Sequence, residues 1–171
     1  MDELYTSGAV SLKIEGRMKS EYYLATVINA YRRAIDCYEK QGASYKDDLL
    51  FENEVSKTAH RAFTTAYTLG DNNETVNYGD SQSNGNRIFI ANVLSYDNEK
   101  GAYVVEMRNR FKIGDELEVL SPTDSFNKRF KVERLENMQG EEVLDAKRVQ
   151  EKLYLYTYVK LNSGDVLRKD N

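Results

Sequence analysis

Apolar positions along the chain follow two different periods, separated by a polar gap. From Ser20 onward, Tyr23, Val27, Ala30, Tyr31, Ala34 and Tyr38 recur at helical spacing, and Leu24, Ile28 and Ile35 widen the stripe. Asn29, Arg32, Arg33, Asp36 and Glu39 hold the other face, so this stretch reads as one long amphipathic helix. Ser20 suits its N-cap, Glu21 the positive end of its dipole, and Gly42 its C-terminal stop. Ahead of it, Leu12 and Ile14 alternate with Lys13 and Glu15, which predicts a strand that turns at Gly16. A shorter helix is expected over 47–60, from Leu49, Leu50, Val55 and Ala59, and an extended stretch over 61–70. Residues 71–86 are mostly Asp, Asn, Gly and Ser; they have little to bury and read as a linker or long loop.

Beyond the gap the period becomes two. Strands are predicted at 88–94, 102–107, 116–120, 129–135 and 153–159, with turn chemistry at 97–101, 113–115 and 137–140. Short strands at this spacing, with no helix between them, predict a small closed antiparallel β-barrel, because closure removes exposed edges. The fold class expected is α+β. The domains expected are a strand-and-helix segment over 1–70, a linker over 71–85 and a β-barrel over 86–171.

Composition narrows the functional classes. The 171 residues carry a formal net charge of −4, which disfavours indiscriminate binding to nucleic acid or an anionic membrane. No run approaches the ~20 apolar residues of a membrane span, so a cytoplasmic protein without a membrane partner is expected. The single cysteine, Cys37, and single histidine, His60, cannot build a zinc or iron–sulfur site, so no metal and no cofactor is expected on this chain. Cys37 has no base near it in sequence and reads as a small packed residue; no catalytic residue is assigned.

The candidate chemistry is charged. Lys13, Glu15, Arg17 and Lys19 crowd the predicted strand-to-helix junction, where β/α proteins bind ligands. Arg17 could clamp a carboxylate or phosphate with Glu15 orienting it, or the group could simply neutralise itself at a rim. His60 and Arg61 form a second ligand-binding candidate, with a helix cap as the plainer reading of the histidine. Arg108, Arg110 and Lys112 alternate along one strand and could track a phosphate backbone or meet another substrate. From residue 86 onward, however, fifteen Lys and Arg stand against fifteen Asp and Glu, which favours a solvated mixed-charge face there. Tyr154, Tyr156 and Tyr158 share a strand face and could stack bases or fill a half-buried surface.

Several of these segments also resemble one family. The run from Ser11 through Lys13, Glu15, Gly16, Arg17 and Lys19 to Ser20, continued by Tyr22, Tyr23, Ala30, Tyr31, Arg32, Arg33 and Asp36, resembles the collagenase-like peptidases of family U32. His60-Arg61-Ala62-Phe63-Thr64 resembles that family's His-Arg-x-aromatic-Thr stretch. Arg108-Asn109-Arg110-Phe111 leading to Gly114-Asp115 and Leu117-Glu118 resembles its Arg-Asn-x-Phe-x-x-Gly-Asp-x-Leu-Glu pattern. Glu21 stands where the family usually has Pro, and Ala66 where it tends to have Gly. The resemblance implies that residues 1–40 are the last strand and helix of a (β/α) barrel. It also implies that 86–171 are a β-barrel similar to the second domain of translation elongation factors. The family's cysteine signature is not in this sequence, so the chain alone is expected to be catalytically inactive. On this resemblance it is an accessory or substrate-binding part of a collagenase-like peptidase, or the RNA-binding module of a tRNA- or rRNA-hydroxylating relative. The implied partners are an upstream catalytic barrel and a protein or RNA substrate, with packing on the β-barrel or self-association hiding the helical stripe.

Overall fold

The computed structural model describes residues 1–45, 49–58, 60 and 85–171. The expected extended stretch over 61–70, most of the linker, Arg61 and Ala66 lie outside the described residues. Among the described residues, three α-helices precede the strands: α1 (Asp2–Thr6), α2 (Glu21–Gln41) and α3 (Leu49–Ser56). Ser20 caps α2 as expected, its hydroxyl accepting the Tyr23 N–H at 3.3 Å, and Gly42 ends it with φ of 58°. Its buried residues are Tyr22, Thr26, Val27, Ala30 and Ala34, so the covered face is centred on Tyr22 and not on Tyr23. Cys37, expected to be packed, is exposed and free.

The strand expected at the start of the chain does not form. Residues 9–16 take no regular structure, and among the described residues no strand lies beside them. A strand needs a neighbour to satisfy its backbone N–H and C=O groups, and alternation alone does not supply one. Val10 and Met18 are left almost fully in solvent. Helix α1, which the periodicity did not predict, leans on the end of α2, where the Tyr38 hydroxyl donates to Asp2 Oδ1 at 2.6 Å.

After residue 86 come β1 (Arg87–Asp97), β2 (Ala102–Met107), β3 (Phe111–Lys112), β4 (Glu116–Leu120) and β5 (Arg129–Lys131). They are followed by β6 (Arg134–Asn137), β7 (Asp145–Ala146), β8 (Lys152–Tyr156) and β9 (Val166–Asp170). Seven of these form one antiparallel sheet in the order β5-β4-β9-β1-β2-β8-β6, while β3 and β7 pair separately as a short ribbon. Bulges in β1, one against each neighbour, bend the long central strand and curl the sheet. The barrel expected from the sequence is not closed, since no ladder joins the edge strands β5 and β6. The chain instead crosses from one edge to the other through Val132 and Glu133. The predicted strand over 129–135 is thereby split in two.

The ribbon covers this opening. The Gly114 N–H donates to Val132 O at 2.8 Å, and the Val143 N–H donates to Leu135 O at 2.9 Å. Phe111 and Ala146 of the ribbon join a core that includes Ile90, Val93, Val105, Met107, Leu117, Val119, Val132, Leu135, Leu153, Leu155 and Leu167. Among the described residues, that core lies within 88–167. The outer face of the sheet carries a smaller apolar group in which Tyr22 of α2 meets Leu120 and Val166, with Phe89 and Phe126 against them. Alternation accounts for both faces: Leu117, Val119 and Leu167 point inward, while Leu120 and Val166 meet the helix. Among the described residues no helix is long and apolar enough to cross a membrane.

Candidate nucleic-acid interface

The ribbon across the barrel's open side is built from two-residue strands that alternate sharply. Phe111 pairs with Ala146 and both are buried, so Arg110, Lys112, Asp145 and Lys147 are turned away from the core. Between β3 and β4 the chain reverses over 112–115, where the Asp115 N–H donates to Lys112 O at 3.1 Å and Gly114 takes φ of 93°. Such a turn requires a residue free of the Cβ penalty at its third position, which is why glycine stands there. The turn places Asp115 back over β3, its carboxylate accepting the Lys112 N–H at 3.0 Å.

Arg110 and Asp145 form a two-pronged pair: Nε donates to Oδ1 at 2.9 Å and Nη2 to Oδ2 at 2.6 Å. Lys147 adds a second cation 3.2 Å from the same carboxylate. The Arg110 hydrogen bond holds the Asp145 carboxyl far below its ordinary value, so it stays ionised throughout the neutral range. Asp115 is pushed up by burial, but the hydrogen bond from Lys169 at 2.8 Å and the Lys112 N–H outweigh this and leave it lowered. Arg110, Phe111, Lys112, Asp115 and Lys169 line a cleft of about 260 Å³. The Arg110, Lys112, Lys147 and Lys169 cations outnumber Asp115 and Asp145, and the Lys112 ammonium forms no ion pair among the described residues. A chain of net charge −4 thus keeps a local cationic excess around the ribbon.

The three cations expected to act together are divided. Arg110 and Lys112 share the cleft. Arg108 instead reaches the start of α2, with Glu21 at 3.2 Å and Glu106 at 3.3 Å, and its guanidinium lies 5.5 Å from the Phe89 ring centre. Its work is to hold the helix to the sheet. The tyrosine row is divided as well: Tyr154 is buried, Tyr156 donates to Glu136 at 3.0 Å beneath the Arg134 guanidinium, and only Tyr158 is widely exposed.

The charged residues at the start of the chain, Lys13, Glu15, Arg17 and Lys19, are exposed. Lys13 and Glu15 approach to 3.8 Å with both side chains in solvent, and the Arg17 N–H reaches Glu15 Oε1 at 3.4 Å. Lys19 lies over the Tyr23 ring, 5.2 Å from its centre. His60 is half-buried. Glu15 to Lys19 border an open concavity of about 440 Å³.

Lys147, Lys169 and Asp145 were not singled out by sequence, and Asp115 only as part of a turn and of the family pattern. Asp145 and Lys147 sit in or next to the two-residue β7, where periodicity carries little signal, and Lys169 lies near the charged end of β9. The Arg110–Asp145 pair spans 35 positions, beyond the reach of local pattern.

Comparison with known proteins gives these observations a frame. The family model described as peptidase family U32 matches residues 1–78, and that of the peptidase family U32 C-terminal domain matches 86–168. A protein named tRNA hydroxylation protein P1, from Bacillus subtilis (strain 168), is 37% identical over 116 residues, 67% of this chain and 28% of that protein. A protein named collagenase, from Porphyromonas gingivalis (strain ATCC BAA-308 / W83), is 26% identical over 128 residues, 72% of this chain and 30% of that protein. The chain thus spans less than a third of the length of these relatives. Among solved structures, the C-terminal domain of a Geobacillus thermoleovorans U32 peptidase is 30% identical with a TM-score of 0.45, over 48% of this chain and 92% of that one. With two adjoining family models matched along almost its whole length, this chain belongs to peptidase family U32.

Proposed function

We propose that this chain is the RNA-binding part of a U32 protein of the tRNA-hydroxylating kind. The observation that carries the reading is the cationic cleft on the β3–β7 ribbon, where Arg110, Lys112, Lys147 and Lys169 gather on an otherwise acidic chain. The stronger similarity to a protein named for tRNA hydroxylation, compared with one named collagenase, supports RNA over protein as the substrate. On this reading Asp145 and Asp115 are positioning residues. They hold Arg110 and Lys169 in fixed directions, so that the spare guanidinium and ammonium hydrogens face successive phosphates without a further loss of side-chain freedom. Residues 1–40 would complete a (β/α) barrel contributed by the remainder of such a protein, and the chain alone would bind without catalysing.

The test is retardation of tRNA by the purified chain at about 50 mM and about 200 mM salt, where neutralised phosphates make affinity fall steeply. Lys112→Ala and Lys147→Ala are each expected to weaken binding across tRNA sequences and to lower the salt slope by about one unit. Absence of any salt-sensitive complex overturns the RNA reading and leaves a protein substrate ahead.

A further inference from the structure

A second charged group, outside the cleft, is buried where the helices meet the sheet. Arg168 is fully buried in β9, and its Nε donates to Glu118 Oε1 of β4 at 2.8 Å. Its Nη2 donates to Glu54 Oε2 of α3 at 2.8 Å and to Asn127 Oδ1 at 2.7 Å. Lys57, just past α3, is bonded to Glu54 and reaches Glu118 Oε1 at 2.9 Å and Asn127 Oδ1 at 3.2 Å. The Asn127 amide returns to Glu54 Oε1 at 3.0 Å, and Arg129 supports the outer oxygen of Glu118 at 3.0 Å. Glu54 and Glu118 are 2% and 5% exposed.

This network joins two segments that the apolar contacts barely join. Among the described residues, the main core draws none from α2 or α3, and the apolar group under α2 is small. Apolar contacts are also non-directional, so they fix a helix's position only loosely. A buried charge behaves differently: any arrangement that leaves it unpaired is strongly penalised. Glu54 and Lys57 from the helical side and Glu118, Asn127 and Arg168 from the sheet side set each carboxylate against both cations in one docking geometry, in which Arg168 Nη1 is buried without a hydrogen-bond partner among the described residues.

We propose that Arg168, Glu118, Glu54, Lys57 and Asn127 form a polar latch that sets the angle and register of α2 and α3 on the sheet. Removing one helical member releases the helices and leaves the sheet folded. Alternation along β9 gives the latch a further consequence: Arg168 faces the helices while its neighbour Lys169 bonds Asp115 at the cleft. One strand therefore carries both the latch and a wall of the cleft, and the position of the helical segment is referred to the cleft through it.

Hydrogen exchange followed by mass spectrometry on the full chain tests the latch. In Glu54→Gln and Lys57→Met, amides of residues 21–56 are expected to exchange at least about tenfold faster, while those of β1, β2, β4 and β9 stay unchanged. Both substitutions lie outside the sheet, so the sheet's own folding serves as the internal control. Unchanged exchange in the helices overturns the proposal, and so does an equal acceleration in helices and sheet, which would reduce the network to general stability. A double-mutant cycle between Glu54→Gln and Arg168→Gln adds an independent criterion. Losses in helix protection that are less than additive support direct coupling; additive losses refute it.

Discussion

Glu118 shows how far one residue's surroundings can override its pattern. It sits between Leu117 and Val119 in a strand, where a carboxylate ordinarily faces water. Burial pushes its pKa up, but the hydrogen bond from Lys57 and the charges of Arg168 and Arg87 outweigh this, leaving it below the ordinary value of 4.5. A carboxyl lowered on folding stabilises the native state above its unfolded pKa, and the contribution is lost as pH falls through the lower folded value. Stability is therefore expected to be flat near neutrality and to fall below about pH 4.5 as Glu118 protonates. Glu118→Gln leaves Arg168 and Lys57 with an uncompensated buried charge and is expected to cost about 3 kcal/mol at pH 7. Urea unfolding at neutral pH and near pH 3 checks this, because the gap between variant and parent should shrink in acid. A gap that stays constant with pH would mean that the carboxylate charge is not what Glu118 contributes.

At the scale of elements, α2 is where sequence and structure agree most closely. The hydroxyl of Ser20 satisfies an N–H of the first turn, and Ser20→Ala is expected to destabilise the chain by about 1 kcal/mol, with faster amide exchange confined to the start of α2. Denaturant titration and exchange on the same variant measure both parts. The helix was legible because a long apolar stripe, a cap and a stop all lie within a few turns of one another. Strands β1, β2, β4 and β8 were legible for a similar reason, since each carries several alternating positions. What escaped was governed by distant partners. Val166-Leu167-Arg168-Lys169-Asp170 is not among the predicted strands, yet β9 is hydrogen-bonded to both β1 and β4, with Leu167 in the core and Arg168 meeting Glu54. The opposite error occurred over 11–14, where alternation had no partner strand to act on. Of the cleft, Arg110 and Lys112 could be read as exposed cations, but the carboxylates that aim Arg110 and Lys169 arrive from other segments.

Taken as a whole, the molecule is an apolar curled sheet with a helical segment fastened to its outer face by polar contacts. Two attachment points lie on α2 itself: Arg108 grips Glu21, and Arg33 donates to Ser121 O at 3.0 Å and Thr123 O at 3.1 Å. The third is the latch on α3. Because the described core of the sheet draws only on residues 88–167, residues 86–171 are expected to fold without the helices and to melt cooperatively in circular dichroism. The melt should occur at a lower temperature than that of the full chain. Deleting the helices removes Glu54 and Lys57, but it also returns Glu118 and Arg168 to water, so the penalty is smaller than for a charge left buried without its partner. The cleft residues all lie in this part, and Lys169 remains paired with Asp115 inside it. The isolated sheet should accordingly retain the salt-dependent tRNA affinity of the full chain. If it folds yet loses that affinity, the helical segment contributes directly to RNA contact, and Lys13, Arg17 and Lys19 become the residues to substitute next.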